Sequence, residues 1–351
     1  MLFLHHDTIS SLTQLHCEVS FDYSTHSLNE NDYQNNLLCH LNYRRKERMK
    51  PLLHWTTLGL LASFAVQAET VTIEHRLGKT TLEQKPQRVV VIGVGALDAL
   101  DSFGIEPVAV SKFDGSPDYL AKYKSEQYPS AGSLFEPDFE TIYTQKPDLI
   151  VIGPRAAKSY DELSKIAPTI VFAAEADQGY WQSTQQQWRN LGKVFAIESA
   201  VEAKIEQVDA QFKSIMQYNQ QHKSDAMLVM SSGGNLTTFG ANSRFSSVYK
   251  DFGFSETVPV SKESGHGDLI SFEYIREHNP KTLLVVDRDK VVSKAESNIR
   301  QTFENDLVKA TTAYKNGHIA YLDVNAWYIA ISGVKATEQM VADMKTSVGM
   351  Q

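Results

Sequence analysis

Phe139–Arg155, FETIYTQKPDLIVIGPR, is written a second time 133 positions along the chain as Phe272–Arg288, FEYIREHNPKTLLVVDR. With no gap, Phe139 aligns with Phe272, Glu140 with Glu273, Ile142 with Ile275, Pro147 with Pro280 and Arg155 with Arg288. Each copy reads as a short helix (Phe139–Gln145, Phe272–His278), a proline that ends it, and a continuous apolar run. The runs Asp148–Ile152 and Thr282–Val286 have the length and β-branched content of strands buried on both faces. An arginine stands just past the end of each. The spacing predicts two similar α/β lobes with mostly parallel sheets, facing each other across a cleft.

Helix–proline–strand units recur in many α/β proteins, so the flanks matter. Upstream of the first copy, strand Arg88–Ile92 enters a glycine turn and a helix ending in Ser102-Phe103-Gly104-Ile105. Upstream of the second, strand Ala226–Met230 is followed by Gly233-Gly234 and a helix near Ser243–Asp251, ending in Asp251-Phe252-Gly253-Phe254. The order is the same in both halves. Gly93-Val94-Gly95 is no dinucleotide fingerprint, because Asp98 takes the place of the third glycine; it reads as a tight turn lining a cleft. Thr70–His75 and Lys79–Glu83 predict a β-hairpin, Ala157–Ile166 a helix, Thr169–Phe172 and His318–Leu322 strands, and the chain closes on a helix from about Val334. Between the halves, Val201, Ile205, Val208, Phe212 and Ile215 recur at spacings of three and four. One helix of ~20 residues and ~30 Å would join the lobes and keep closure on a ligand small.

The chain has 351 residues, 22% charged and 42% apolar, with a net charge of −8 that argues against nucleic acid as a partner. Arg44, Arg45, Lys46, Arg48 and Lys50 precede the apolar stretch Leu52–Val66, and Val66-Gln67-Ala68 has the small residues a signal peptidase reads. The stretch is too short, and too interrupted by His54, Thr56 and Thr57, for a membrane anchor. Residues 49–68 are therefore expected to be a signal peptide cleaved after Ala68, and residues 1–48 a non-native or dispensable leader. The expected division of the rest is 69–197 for the amino-terminal lobe, 198–221 for the joining helix and 222–351 for the carboxy-terminal lobe. Cys17 and Cys39 both fall in the leader, so the exported chain offers no disulfide, no thiolate metal site and nothing to lipidate.

Of the five histidines after Ala68, His266 is distinctive: it lies in Ser264-Gly265-His266-Gly267-Asp268, where glycines on both sides let the backbone approach closely. Tyr328 lies just past the final strand. Ligands in α/β sheets gather outside the carboxyl ends of strands, where Arg155 and Arg288 also stand, with Arg244 after the Gly-rich segment. Three such arginines point to an anion site. No GxSxG, P-loop or HExxH occurs, so no catalytic set is expected.

From about Val71 to its carboxyl end the chain resembles the periplasmic ferric-siderophore-binding proteins of iron ABC importers, most closely the catecholate branch. The resemblance rests on Phe139–Gly153, Leu191–Phe195, Ser243-Arg244-Phe245, Gly265-His266-Gly267, Val286-Asp287-Arg288 and Trp327-Tyr328. It implies a class III periplasmic binding protein, not an enzyme, with no resident cofactor and a ferric siderophore as transported ligand. Arg155, Arg244 and Arg288 would form the basic floor of the cleft, with Trp327 beside them. His266 and Tyr328 would be protein ligands to iron, and Glu140 and Glu273 the docking points for the inner-membrane permease. A monomer is expected. Ile329–Gly333 departs from the shorter, Ser- and Gly-rich segment of the related proteins. The alternatives are a haem or cobalamin binder of the same fold, or a periplasmic α/β enzyme. Three arginines suit an oxygen-rich anion better than a tetrapyrrole.

Overall fold

The computed structural model describes residues 70–175, 178–260, 267–292 and 298–350. The expected leader, signal peptide and His266 lie outside the described residues. The chain opens on the expected hairpin, β1 (Val71–His75) with β2 (Gly78–Leu82). The first half continues through β3 (Val89–Ile92), α1 (Val94–Ser102), β4 (Ala109–Val110), α2 (Phe139–Thr144), β5 (Leu149–Ile152) and β6 (Thr169–Val171). Its strands pair in the order β4-β3-β5-β6, all parallel. Two helices follow, α3 (Tyr180–Phe195) and α4 (Glu198–His222). The second half holds β7 (Asp225–Ser232), β8 (Asn235–Phe239), α5 (Ser247–Lys250), β9 (Ser255–Glu256), β10 (Asp268–Ile270), α6 (Phe272–His278), β11 (Thr282–Asp287), β12 (Ile319–Leu322) and α7 (Val334–Ser347).

The repeat is structural as well as textual. β3 pairs with β5 from Val89↔Leu149, and β7 pairs with β11 from Ala226↔Thr282, so the two copies enter their sheets in the same register. Asp138 caps α2 through the amide of Thr141, and Ser271 caps α6 through that of Tyr274, at matching positions. After each helix the chain turns through a left-handed residue, Lys146 (φ 48) and Asn279 (φ 46), directly before the proline. Proline disfavours the α conformation in the residue before it, which is why both helices stop there.

Alternation within the buried strands divides the core. Val90, Ile92, Ile150 and Ile152 pack with Ile142 of α2 on one face of the first sheet. Met227, Val229, Leu283 and Val285 pack with Ile275 of α6 on the equivalent face of the second. The other faces share one core, in which Val89, Val151, Leu228 and Leu284 meet Trp181, Trp188, Phe212 and Phe252. Val201, Ile205, Val208, Phe212 and Ile215 of α4 are all buried. At about 1.5–3 kcal/mol per fully buried large apolar side chain, this stripe outweighs the helix's weak local preferences.

Three expectations need correction. Gly233-Gly234 is not a strand-to-helix turn. Both residues take positive φ (57° and 81°) and fold β7 back onto β8 as an antiparallel hairpin, with β10 beyond it. The second sheet is therefore mixed. The helix near Ser243–Asp251 shrinks to the single turn of α5, because the Ser243 hydroxyl donates to the Gly240 carbonyl and accepts from the Phe245 amide, holding a local turn instead. Ala157–Ile166 is likewise helical only in part, starting as a 3₁₀ turn over Pro154–Ser159 and becoming α-helical over Tyr160–Leu163.

Candidate ligand site

Tyr328 sits on a π-helical turn, Asn325–Ile329, that directly follows β12 and Asp323-Val324. Such turns re-aim side chains and recur at functional sites. Three guanidiniums converge on this one residue from distant parts of the chain. Arg288, one residue past β11, donates from Nε to the Tyr328 hydroxyl at 3.0 Å and from Nη1 to Ser232 Oγ at 2.8 Å. Arg155, in the 3₁₀ turn after β5, donates from Nη2 to the Tyr328 carbonyl at 3.0 Å. Arg244, after β8, places its Cζ 4.4 Å from the centre of the Tyr328 ring; Arg155 and Arg288 each stand at 5.7 Å.

The electrostatics follow from this crowding. Burial pushes the Tyr328 phenol up, but the hydrogen bond from Arg288 and the charges of Arg244 and Arg288 outweigh it and leave the phenol below its ordinary value. Burial lowers Arg155, and the Arg244 charge lowers it further while Tyr328 pulls the other way. A cavity of about 990 Å³ opens over these groups, at the top of the range that holds small ligands. Lys250 and Arg76 add cations to its lining, whereas Glu175 is the one carboxylate among its described lining residues.

The cleft floor is backbone. A Cβ on Gly93 would stand 3.0 Å from Gly153 Cα, and one on Gly95 only 2.1 Å from the Ile331 carbonyl oxygen. Gly93-Val94-Gly95 is thus the tight turn the spacing predicts. The segment Ile329–Gly333 is clamped: Ser332, at φ 66, accepts the Trp188 indole N–H on its carbonyl at 2.7 Å and meets Thr184 Oγ1 with its hydroxyl at 2.9 Å.

Arg155, Arg244, Arg288 and Tyr328 are therefore brought together. Trp327 is not part of the cavity: it is buried, packs against Phe252 and donates its indole N–H to Asp343 at 2.8 Å. Trp327 packs into the core behind the turn while Tyr328 and Ile329 line the cavity. Glu140 and Glu273 are exposed in the first turns of α2 and α6, outside the cavity lining. Sequence reasoning missed Lys250, Arg76 and Phe135. Lys250, two residues before the recurring Phe-Gly pair, was the one with a positional signal. Among the described residues no group of three or more His, Cys, Asp or Glu could hold a metal ion, and no helix is long and apolar enough to cross a membrane.

A family model described as Periplasmic binding protein matches residues 89–326, from β3 into the turn that carries Tyr328. The chain belongs to the periplasmic binding protein family. Its two α/β halves, one with a parallel and one with a mixed sheet, are the class III fold expected above. This periplasmic binding protein is 96% identical to the crystal structure of the periplasmic catecholate-siderophore binding protein VctP from Vibrio cholerae, with 80% of this chain and 100% of that chain covered and a TM-score of 0.78. It is 34% identical over 280 residues to the petrobactin-binding protein YclQ of Bacillus subtilis, covering 79% of this chain and 88% of that protein. It is 30% identical to the siderophore binding protein BauB, solved bound to a complex between two molecules of acinetobactin and ferric iron, covering 81% of this chain and 100% of that chain at a TM-score of 0.74. These relatives are binding proteins.

Proposed function

We propose that this periplasmic binding protein captures a ferric catecholate siderophore in the cleft and hands it to an inner-membrane ABC importer for iron uptake. The observation that carries the reading is the convergence of Arg155, Arg244 and Arg288 on Tyr328 within a cavity whose described lining holds one carboxylate. Such a site is short of negative charge. A ferric catecholate supplies it, with oxygens that accept guanidinium hydrogen bonds and rings that stack on guanidinium planes. Ferric iron, a hard cation, keeps its oxygen ligands while the arginines offset the net charge. The likeness to the catecholate-siderophore binding protein VctP, the petrobactin-binding protein YclQ and BauB, bound to acinetobactin and ferric iron, supports the same class.

In this reading Arg155, Arg244 and Arg288 hold the ligand. Tyr328 and His266 complete the iron shell when a siderophore supplies only four oxygens. Trp327 braces the Tyr328 turn from behind. Glu140 and Glu273, one per lobe, dock the permease, with α4 joining lobes 69–197 and 222–351. The exported chain would start after Ala68, free of lipid and monomeric, and would carry iron only as cargo. Tryptophan quenching against a panel of ferric chelates tests the reading. Ferric catecholates should bind and show their broad visible charge-transfer band, and Arg244→Ala with Arg288→Ala should lose them. Binding of haem with a Soret band, and none of catecholates, would overturn it.

A further inference from the structure

The cavity has two chemistries. Arginines supply one; Leu134, Phe135, Phe172, Ile329 and Ile331 supply the other. Phe135 is the odd member, because it lines the cavity while 65% exposed. A large apolar side chain left open to water is commonly a sign of a mobile loop, but this loop is stapled. The Ser133 hydroxyl accepts the amides of Phe135 (3.2 Å) and Glu136 (3.0 Å), and the Ser133 amide donates to the Glu136 carbonyl at 2.9 Å. Gly132, at φ 93, closes the turn so tightly that a Cβ there would lie 2.3 Å from the Glu136 carbonyl oxygen. On the far side, the Asp138 amide donates to the Ala131 carbonyl at 3.0 Å. Phe135 is held in the open by a rigid tip while its neighbour Leu134 is buried.

We infer that Phe135 is a specificity-determining residue that stacks on an aromatic ring of the bound ligand and so selects aryl-bearing ferric chelates. The inference deepens the ferric catecholate reading and rests on it. An exposed ring costs the free protein apolar contact with water, and a ligand ring removes that contact while gaining the offset or edge-to-face geometry aromatic pairs favour. The arginines answer the ligand's charge; Phe135 answers its rings.

The test is the affinity of wild type and three variants for iron(III) held by excess 2,3-dihydroxybenzoate, read by tryptophan quenching. Phe135→Ala should weaken binding about ten-fold, Phe135→Leu nearly as much, and Phe135→Trp should stay within about two-fold of wild type. Phe135 is exposed, so the variants should keep the wild-type melting temperature. Equal affinities for the leucine and tryptophan variants, or an alanine variant that binds like wild type, would overturn the inference while leaving the wider reading intact. So would an alanine variant that binds normally but slows iron uptake in cells, which would place Phe135 with the exposed Phe139 and Tyr143 in an importer contact. Failure of wild type itself to bind would remove both.

Discussion

Asp98, on the first helix of the amino-terminal half, accepts the backbone N–H of Ala336 at the start of the last helix at 2.9 Å. It also accepts the Lys335 amide at 3.0 Å, the Tyr119 hydroxyl at 2.9 Å and the Ser102 hydroxyl at 3.2 Å, and it is fully buried. Gly333 makes room, since a Cβ there would lie 2.2 Å from Asp98 Oδ2. Asp98 thus offers a carboxylate to the unpaired amides at the start of the helix that follows the second half's last strand, where the helix dipole favours it. Asp251, which follows α5, stands near Gly179 at the start of α3, but its Oδ2 has no hydrogen-bond partner among the described residues, and burial prevails over the pull of the Trp181 and Tyr180 amides on its carboxyl.

Asp98→Ala strands the amides of Lys335 and Ala336 and the Tyr119 hydroxyl in a dry site. Urea unfolding should show a loss of about 3 kcal/mol, with Asp98→Asn losing less because one acceptor remains. A loss within about 0.5 kcal/mol, as for an ordinary surface substitution, would mean the clasp carries no load.

Asp251 gives a pH signature. Burial pushes its carboxyl up from 3.8 to about 6, against the pull of the Trp181 and Tyr180 amides and of Lys250. The folded state then holds the proton more tightly than the unfolded state. The stability this group contributes is full below about 4 and is lost as pH rises through about 6. Relative to wild type, Asp251→Asn should gain on the order of 3 kcal/mol across that window and no more above it, measured by urea unfolding at a series of pH values. A difference that stays flat with pH would refute the assignment.

Tyr328 should be among the first tyrosines to ionise, since the charges around it outweigh its burial. In an alkaline titration followed by tyrosinate absorbance, Tyr328→Phe should remove an early step and Arg288→Gln should delay it. With iron bound, Tyr328→Phe should shift the charge-transfer band of a ferric chelate supplying four catecholate oxygens and scarcely alter one supplying six. Identical spectra for both would argue that the phenol lines the cleft without touching the metal.

Glu140 and Glu273 stand exposed at matching positions of the two copies. Changing both to alanine should abolish iron uptake in cells and leave ferric catecholate affinity within about two-fold, an energy change near 0.4 kcal/mol. Uptake that persists would reduce them to dipole-complementing residues at helix starts.

With α4 packed against α3 and α7, and Asp98 of the first half clasping the start of the last helix, closure should be small. Small-angle scattering with and without ligand should give nearly the same radius of gyration. A large contraction would show that the clasp yields.

What was legible in the residues alone is what local chemistry controls. The proline after each short helix, the runs LIVI and LLVV, and the three-and-four spacing along α4 each specify their element from within about twenty residues. The repeat at an offset of 133 showed two like halves, whereas the pairing of β3 with β5 and of β7 with β11 came only with the fold. Gly233-Gly234 read as a strand-to-helix turn, and only the pairing of β7 with β8 made it a hairpin. Trp327 and Tyr328 are adjacent in the chain, yet one is buried against Phe252 and the other lies in the cavity. That separation depends on a π-helical turn and the helix packed behind it. Asp98 looked like a failed glycine position until the last helix arrived, more than two hundred residues later, to use its carboxylate. The downward pull on the Tyr328 phenol's pKa was likewise invisible locally, because a pKa answers to charges within a few ångströms, and the three guanidiniums come from turns after β5, β8 and β11 that only the packing of the two sheets brings within reach of one ring.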